Sequence, residues 1–274
     1  MTTNSTDYGK AGRNLPAAIA VGLGLFATLV ISLFADIRFF AILVALAAVL
    51  ATRELSQTLV IGLSQRMIIL LQILAPLIVV AASLNGTTGL AGTFIASVIL
   101  ILSVRLLDGE EAYVHHVTRS IFALVYAPVL ASFAVLLSTQ TDGAWKVLAF
   151  VLLTAATDLG GYIAGALFGK HSMAPKISPN KTWEGFAGAL ALQLIIGILL
   201  WIFVFNQSWW EGAIVGLVMM LTATFGDLIE SMIKRDLGVK DMGRLLPGHG
   251  GVMDRLDSLV INSFVAWALF GIFL

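Results

Sequence analysis

The 274-residue chain contains no cysteine, which excludes disulfide crosslinks and thiolate metal sites. Charge is scarce as well: only 12% of residues carry one, about half the share usual in a soluble domain, and the formal net charge is zero. With no excess of either sign, nothing in the composition points to a nucleic-acid partner. There is no low-complexity tract, no internal repeat and no loop long enough to form a separate soluble domain. No cleavable signal is expected either. The polar first fourteen residues lead into an apolar run of about twenty, too long for a signal-peptide core and lacking a clear small-x-small cleavage site, so it reads as a retained first span.

What is present is apolar. Hydrophobic residues make up 59% of the chain and the mean hydropathy is +0.97, which predicts an all-α, multi-pass integral membrane protein. A span needs about 20 mainly apolar residues, and such segments recur near residues 15–34, 37–53, 66–83, 88–104, 120–138, 147–169, 184–205, 212–233 and 257–274. Cytoplasmic loops collect Lys and Arg. With nine spans, one side holds fourteen basic residues, from Lys10 and Arg13 to Arg244 and Arg255, and the other only Arg38 and Lys146. The expectation is a cytoplasmic N-terminus and a C-terminus on the opposite side. The first five spans, residues 1–140, look nearly free of buried charge and serve as a scaffold. The catalytic region is expected in the last four, residues 141–274.

Asp158 falls about 18 Å into the sixth span at 1.5 Å per residue, where a carboxylate is costly unless it faces water or a charged partner. The following loop carries Lys170, His171, Lys176, Ser178, Pro179 and Lys181. Ser178 before Pro179 fits a helix N-cap, and free N–H groups there with Lys181 one turn on would seat a phosphate. A basic loop obeying the positive-inside rule is the plainer alternative. A P-loop is excluded, because Ala164 stands where its first glycine belongs and His171 where its Ser or Thr does.

Asp227, Glu230, Ser231 and Lys234 are spaced to share one helix face, and Asp254, Asp257 and Ser258 form a similar stripe entering the last span. Magnesium takes a few carboxylates together with water and substrate phosphate oxygens, which these two stripes supply. Between them Gly248, Gly250 and Gly251 flank His249, and glycine lets backbone N–H groups close on an anion. Arg244 and Arg255 suit two-point phosphate binding. An ordinary tight turn is the bland reading of that loop. His115 and His116, adjacent on the chain, do not face one way on a helix and read as a solvated loop rather than a metal site. Carboxylates, basic residues and glycine-rich backbone together suit phosphoryl or nucleotidyl transfer. A secondary transporter also buries charge, but its site lies near the midplane, whereas here the charge is biased to one surface.

The stretch SMIKRDLGVKDMGRLLPGHGGVMDRLD, Ser231 to Asp257, resembles the signature of phosphatidate cytidylyltransferases, without a mismatch over its 27 residues. GKHSMAPKISPNKTWEG, Gly169 to Gly185, is similar to a second characteristic stretch of the same enzymes. The resemblance implies transfer of the cytidylyl group of CTP to phosphatidic acid in a homodimeric protein of the cell inner membrane, with its site facing the cytoplasm. It implies magnesium, one ion or two, on Asp227, Asp254 and Asp257. Lys181, Lys234, Arg235, Arg244 and Arg255 would bind substrate phosphates, with Ser178, Gly250 and Gly251 beside them, and Asp158 and His249 would line the same cavity.

Overall fold

The computed structural model describes residues 15–59, 62–243, 245 and 250–274. Lys10 and Arg13 of the basic set, and Arg244, Gly248 and His249 of the glycine-rich loop, lie outside the described residues. The chain runs through α1 (Leu15–Ala35), α2 (Ile37–Leu59), α3 (Gln65–Leu106), α4 (Tyr113–Leu124), a π-helical turn (Val125–Val129), α5 (Leu130–Ser138) and α6 (Gly143–Phe168). It continues with β1 (Ser172–Ala174), β2 (Ser178–Thr182), α7 (Trp183–Phe203), α8 (Trp209–Asp236) and α9 (Met253–Phe273). Hydrocarbon offers the backbone no hydrogen-bond partner, so apolar segments close their own bonds as helices. Among the described residues, seven helical runs are long and apolar enough to cross a membrane, α4 to α5 counting as one run.

The 42-residue α3 spans two of the predicted segments. A straight helix of that length would reach about 63 Å at 1.5 Å per residue, twice the thickness of a bilayer core. Instead its two ends meet, because Ser64 just before it donates to Asp108 just after it at 2.5 Å. The reversal is at Gly86, whose φ of 62° suits glycine and interrupts the helical backbone. The two limbs share one apolar core, with Leu71, Leu74 and Ile78 of the first packed beside Leu90 and Ile101 of the second. A second irregularity follows from Pro128, which cannot donate a helical hydrogen bond. The helix widens there into the π turn that carries Tyr126.

Packing runs across position 140. One core joins Phe40 and Ala48 of α2 to Leu153 of α6, Trp201 of α7, Met219 of α8 and Phe270 of α9. A further core sets Leu55 of α2 and Tyr126 against Met253 and Val260 of α9. Trp145, Trp183, Trp209 and Trp210 stay about half exposed near helix ends, as an interfacial belt requires.

α6 and α7 approach through small residues. A Cβ at Gly160 would stand 2.7 Å from the Gly188 carbonyl oxygen, and one at Gly185 would stand 2.9 Å from that of Gly161. Such contact substitutes close van der Waals packing for the hydrophobic drive that lipid removes. Gly188→Val would overlap Ala164 and the Gly160 backbone. It is expected to destabilise the fold by about 3 kcal/mol, the upper end of ordinary overpacking, read as a lower melting temperature in detergent. An unchanged melting temperature would show that the two helices have room to separate.

Two expectations are corrected. Ser178 and Pro179 do not start a helix. They lie in β2, which pairs antiparallel with β1 through Ser172 opposite Thr182 and Ala174 opposite Ser178. Pro179, lacking an N–H, is tolerated in so short a ribbon, where its carbonyl accepts from the Ser172 hydroxyl at 3.2 Å. The N-cap of α7 is Thr182, whose Oγ1 accepts from Gly185 N at 3.1 Å. Nor is the N-terminal half free of buried charge, since Glu54 is 7% exposed and Arg105 is 3% exposed. Arg105 folds the α3–α4 loop by donating to the carbonyls of Gly109 and Glu111 and to His116 Nδ1. His116 thereby braces the loop from the first turn of α4, so His115 and His116 stand on a helix and not in the solvated loop expected from the sequence.

Candidate active site

The β1–β2 hairpin ties three helices together. Glu184, in the first turn of α7, accepts from the backbone N–H groups of Lys170 and His171 at 3.1 and 3.2 Å, and its other oxygen lies 2.6 Å from His171 Nδ1. Arg235, near the end of α8, donates to the Ile177 carbonyl at the hairpin tip at 3.3 Å. Lys181 on β2 reaches Asp227 on α8 at 2.6 Å. Beneath this pair is a cavity of about 300 Å³ lined by Thr157, Asp158, Tyr162, Ser178, Asn180, Lys181, Thr224 and Asp227. Asp158 is exposed into this space, inside the span of α6. The sequence-predicted Asp158, Ser178, Lys181 and Asp227 thus share one cavity, with Arg255 and Asp257 within electrostatic range of Asp158.

The second group is one turn further along α8. Lys234 lies 2.7 Å from Glu230 of its own helix and 2.6 Å from Asp254 of α9. Asp254 also accepts from Met242 N at 3.0 Å and from Gly251 N at 2.7 Å. Its carboxylate thereby bridges Met242 and Gly251 across the loop that precedes α9. Gly250, at φ 81°, leaves Asp254 this room, because a Cβ there would sit 2.7 Å from its Oδ2. Asp257 Oδ1 accepts from Ser258 N at 2.6 Å and from the Ser258 hydroxyl at 3.1 Å.

Three participants carry little signal in the sequence. Glu54 of α2 accepts from Val252 N at 3.0 Å and Met253 N at 2.9 Å, so an acid from the N-terminal half caps α9. The Tyr126 hydroxyl, on a residue 4% exposed, has no hydrogen-bond partner among the described residues and lies within electrostatic range of Glu230, Asp257 and Asp227. Glu230 belongs to the predicted stripe, but its burial to 1% exposure was not legible there. Sequence separation hides the first two, since the partners of each lie more than a hundred residues further along the chain.

Acidic side chains outnumber basic ones here. Asp158, Asp227, Glu230, Asp254 and Asp257 stand near Lys181, Lys234 and Arg255. The all-oxygen donor set suits a hard divalent cation that keeps most of its waters. Among the described residues no three acidic or histidine side chains close into a ready-made metal cluster. A cation here would therefore complete its shell with water and substrate oxygens.

The fold is that of an all-helical, multi-pass membrane protein, with its acids and lysines gathered around one polar cavity. Residues 16–273 match the cytidylyltransferase family, and the chain belongs to it, which makes it a nucleotidyltransferase. A Mycobacterium leprae protein named phosphatidate cytidylyltransferase is 40% identical over 98% of this chain and 91% of its own length. A Mycobacterium bovis protein of the same name is 37% identical over 96% of this chain and 90% of its own. One from Staphylococcus saprophyticus, also so named, is 39% identical over 61% of this chain.

Proposed function

We propose that this enzyme transfers the cytidylyl group of CTP to phosphatidic acid, giving CDP-diacylglycerol and pyrophosphate at the cytoplasmic face of the cell inner membrane. The observation that carries the reading is the Lys181–Asp227 pair over a polar cavity sunk into a membrane span, inside a chain of this family. A lipid phosphate and a water-soluble nucleotide can meet only where such a cavity joins the two phases.

In the proposed reaction an oxygen of the lipid phosphate attacks the α-phosphorus of CTP. The new O–P bond forms as the bond to the β-phosphate oxygen breaks, and pyrophosphate leaves. A phosphate monoester has a second pKa of about 6, so the nucleophile is largely ionised at neutral pH and needs no dedicated base. Lys181 and Lys234 now rest against Asp227, Glu230 and Asp254, and incoming phosphates would take over those cations. Arg235 and Arg255 add positive charge and Ser178, Gly250 and Gly251 would border the phosphate positions, while the resemblance adds Arg244 and His249, which lie outside the described residues. Magnesium, one ion or two, would be held by Asp227 and Asp254 with Asp257 beside them, and when bound would neutralise charge on the triphosphate. Asp158 lines the cavity.

The proposed topology has nine spans, counting the two limbs of α3 separately and α4 to α5 as one. The fourteen-to-two distribution of Lys and Arg supports a cytoplasmic N-terminus and a C-terminus outside. On that reading the loops before α3, α4, α7 and α9 share the cytoplasmic side, the side where the cavity is. The proposed working unit is a homodimer, as the resemblance implies.

The test uses purified enzyme with CTP labelled at the α-phosphate, phosphatidic acid and magnesium. Label is expected in a lipid product that depends on all three additions. Folded enzyme that leaves the lipid unlabelled would overturn the assignment.

A further inference from the structure

The last catalytic helix is held at its start by a residue from the other end of the chain. α9 begins at Met253 without a capping side chain from its own segment. The first N–H groups of a helix have no intrahelical partner and carry the positive end of its dipole, so an acid is the favoured cap. Glu54 supplies it from 198 residues away, accepting from Val252 N at 3.0 Å and from Met253 N at 2.9 Å. The same carboxylate fills the space over two glycines, because a Cβ built on Gly243 or on Gly251 would overlap it. Gly251 in turn donates to Asp254, and Met242, next to Gly243, donates to it as well. The Met242–Gly243 and Gly251–Met253 stretches of the loop before α9 are therefore packed between two acids, Glu54 on one side and Asp254 on the other.

We propose that Glu54 is a positioning residue for nucleotidyl transfer, which sets the start of α9 and so the placement of Asp254, Arg255 and Asp257 in the site. The inference rests on the reading of that site as the cytidylyltransferase centre. Glu54 touches no substrate in this role. It acts through backbone N–H groups, and an error of about 1 Å in a positioned group can cost on the order of 100-fold in rate.

The experiment compares full-length wild type, Glu54→Gln, Glu54→Ala, Gly243→Ala and the Glu54→Ala/Gly243→Ala double variant in the labelled-lipid assay. Glutamine keeps the shape and one acceptor oxygen, so Glu54→Gln is expected to fold while losing about 10-fold in kcat and raising KM for CTP severalfold. A smaller folded fraction alone would lower apparent kcat and leave KM unchanged, which separates positioning from mere support. Gly243→Ala is expected to cost about 10-fold by itself and less than about 3-fold once Glu54 is alanine, because the overlapping carboxylate is then gone. Additive losses from Gly243→Ala in both backgrounds, or wild-type kcat and KM in Glu54→Gln, would overturn the role of Glu54 alone. A wild-type enzyme that labels no lipid would overturn the assigned reaction instead.

Discussion

Asp227→Asn is expected to lower kcat by about a thousandfold, the scale seen when a group that stabilises developing charge is removed from a preorganised site. Asp227 stands where α8 passes the hairpin, with Oδ2 2.6 Å from Lys181 and Oδ1 3.4 Å from the Ser231 hydroxyl. It is the acid common to the cavity and to the carboxylate stripe. Asparagine keeps the size of the side chain but removes its charge. Lys181 then loses its ionic partner, and the site loses a donor for a divalent ion. CTP binding should fall less than turnover, because Lys181, freed of Asp227, still attracts the triphosphate. Product formation at saturating CTP, alongside a melting curve in detergent, separates the two effects. Near-normal turnover by folded Asp227→Asn would remove this residue from the chemistry.

Asp254→Asn should be equally damaging, for a partly different reason. Asp254 meets Lys234 at 2.6 Å while accepting from the backbone of Met242 and Gly251. An asparagine can present only one oxygen, so its amide NH₂ must face either the Lys234 ammonium or a backbone N–H that donates already. Removing one member of a buried ionic group typically costs about 3–5 kcal/mol locally, because the remaining charge stays desolvated. Lys234 keeps Glu230 at 2.7 Å, which limits the damage to the loop and spares the bundle. Turnover is expected to fall to about a thousandth or less, while hydrogen exchange quickens at the Met242 and Gly251 amides and stays slow in α6 to α8. Active enzyme, or exchange unchanged at those two amides, would contradict this account of Asp254.

The sequence makes the helices legible because hydrocarbon enforces them: an apolar run of span length has few alternatives to a helix. The α3 reversal shows this, since the gap between the predicted segments at 66–83 and 88–104 contains Gly86, where the backbone turns. The α8 stripe is legible for a similar reason, as helical spacing puts Asp227 with Ser231 and Glu230 with Lys234 without any tertiary information. Contacts between distant segments are another matter. Glu54 is one acid on an apolar helix, and nothing near it in sequence announces that Val252 and Met253 are its partners. Tyr126 is similar, since its approach to the acids depends on how the π turn packs against α9. Ser178–Pro179 misleads because its local chemistry satisfies a helix start, while pairing with β1 draws the segment into a ribbon and leaves the cap to Thr182.

The central claim is that CTP is bound between the hairpin, α8 and α9. A photoreactive CTP analogue, crosslinked to the full-length enzyme in membranes and mapped by mass spectrometry, tests it most directly. The account predicts label in peptides containing Ser178 to Thr182 and Thr224 to Lys234, suppressed by excess CTP. Two other cavities offer a contrast, one around Ser64, Arg105 and His116 and one around Asp142, Lys146 and Gln207. CTP-competable label confined to either of those would contradict it.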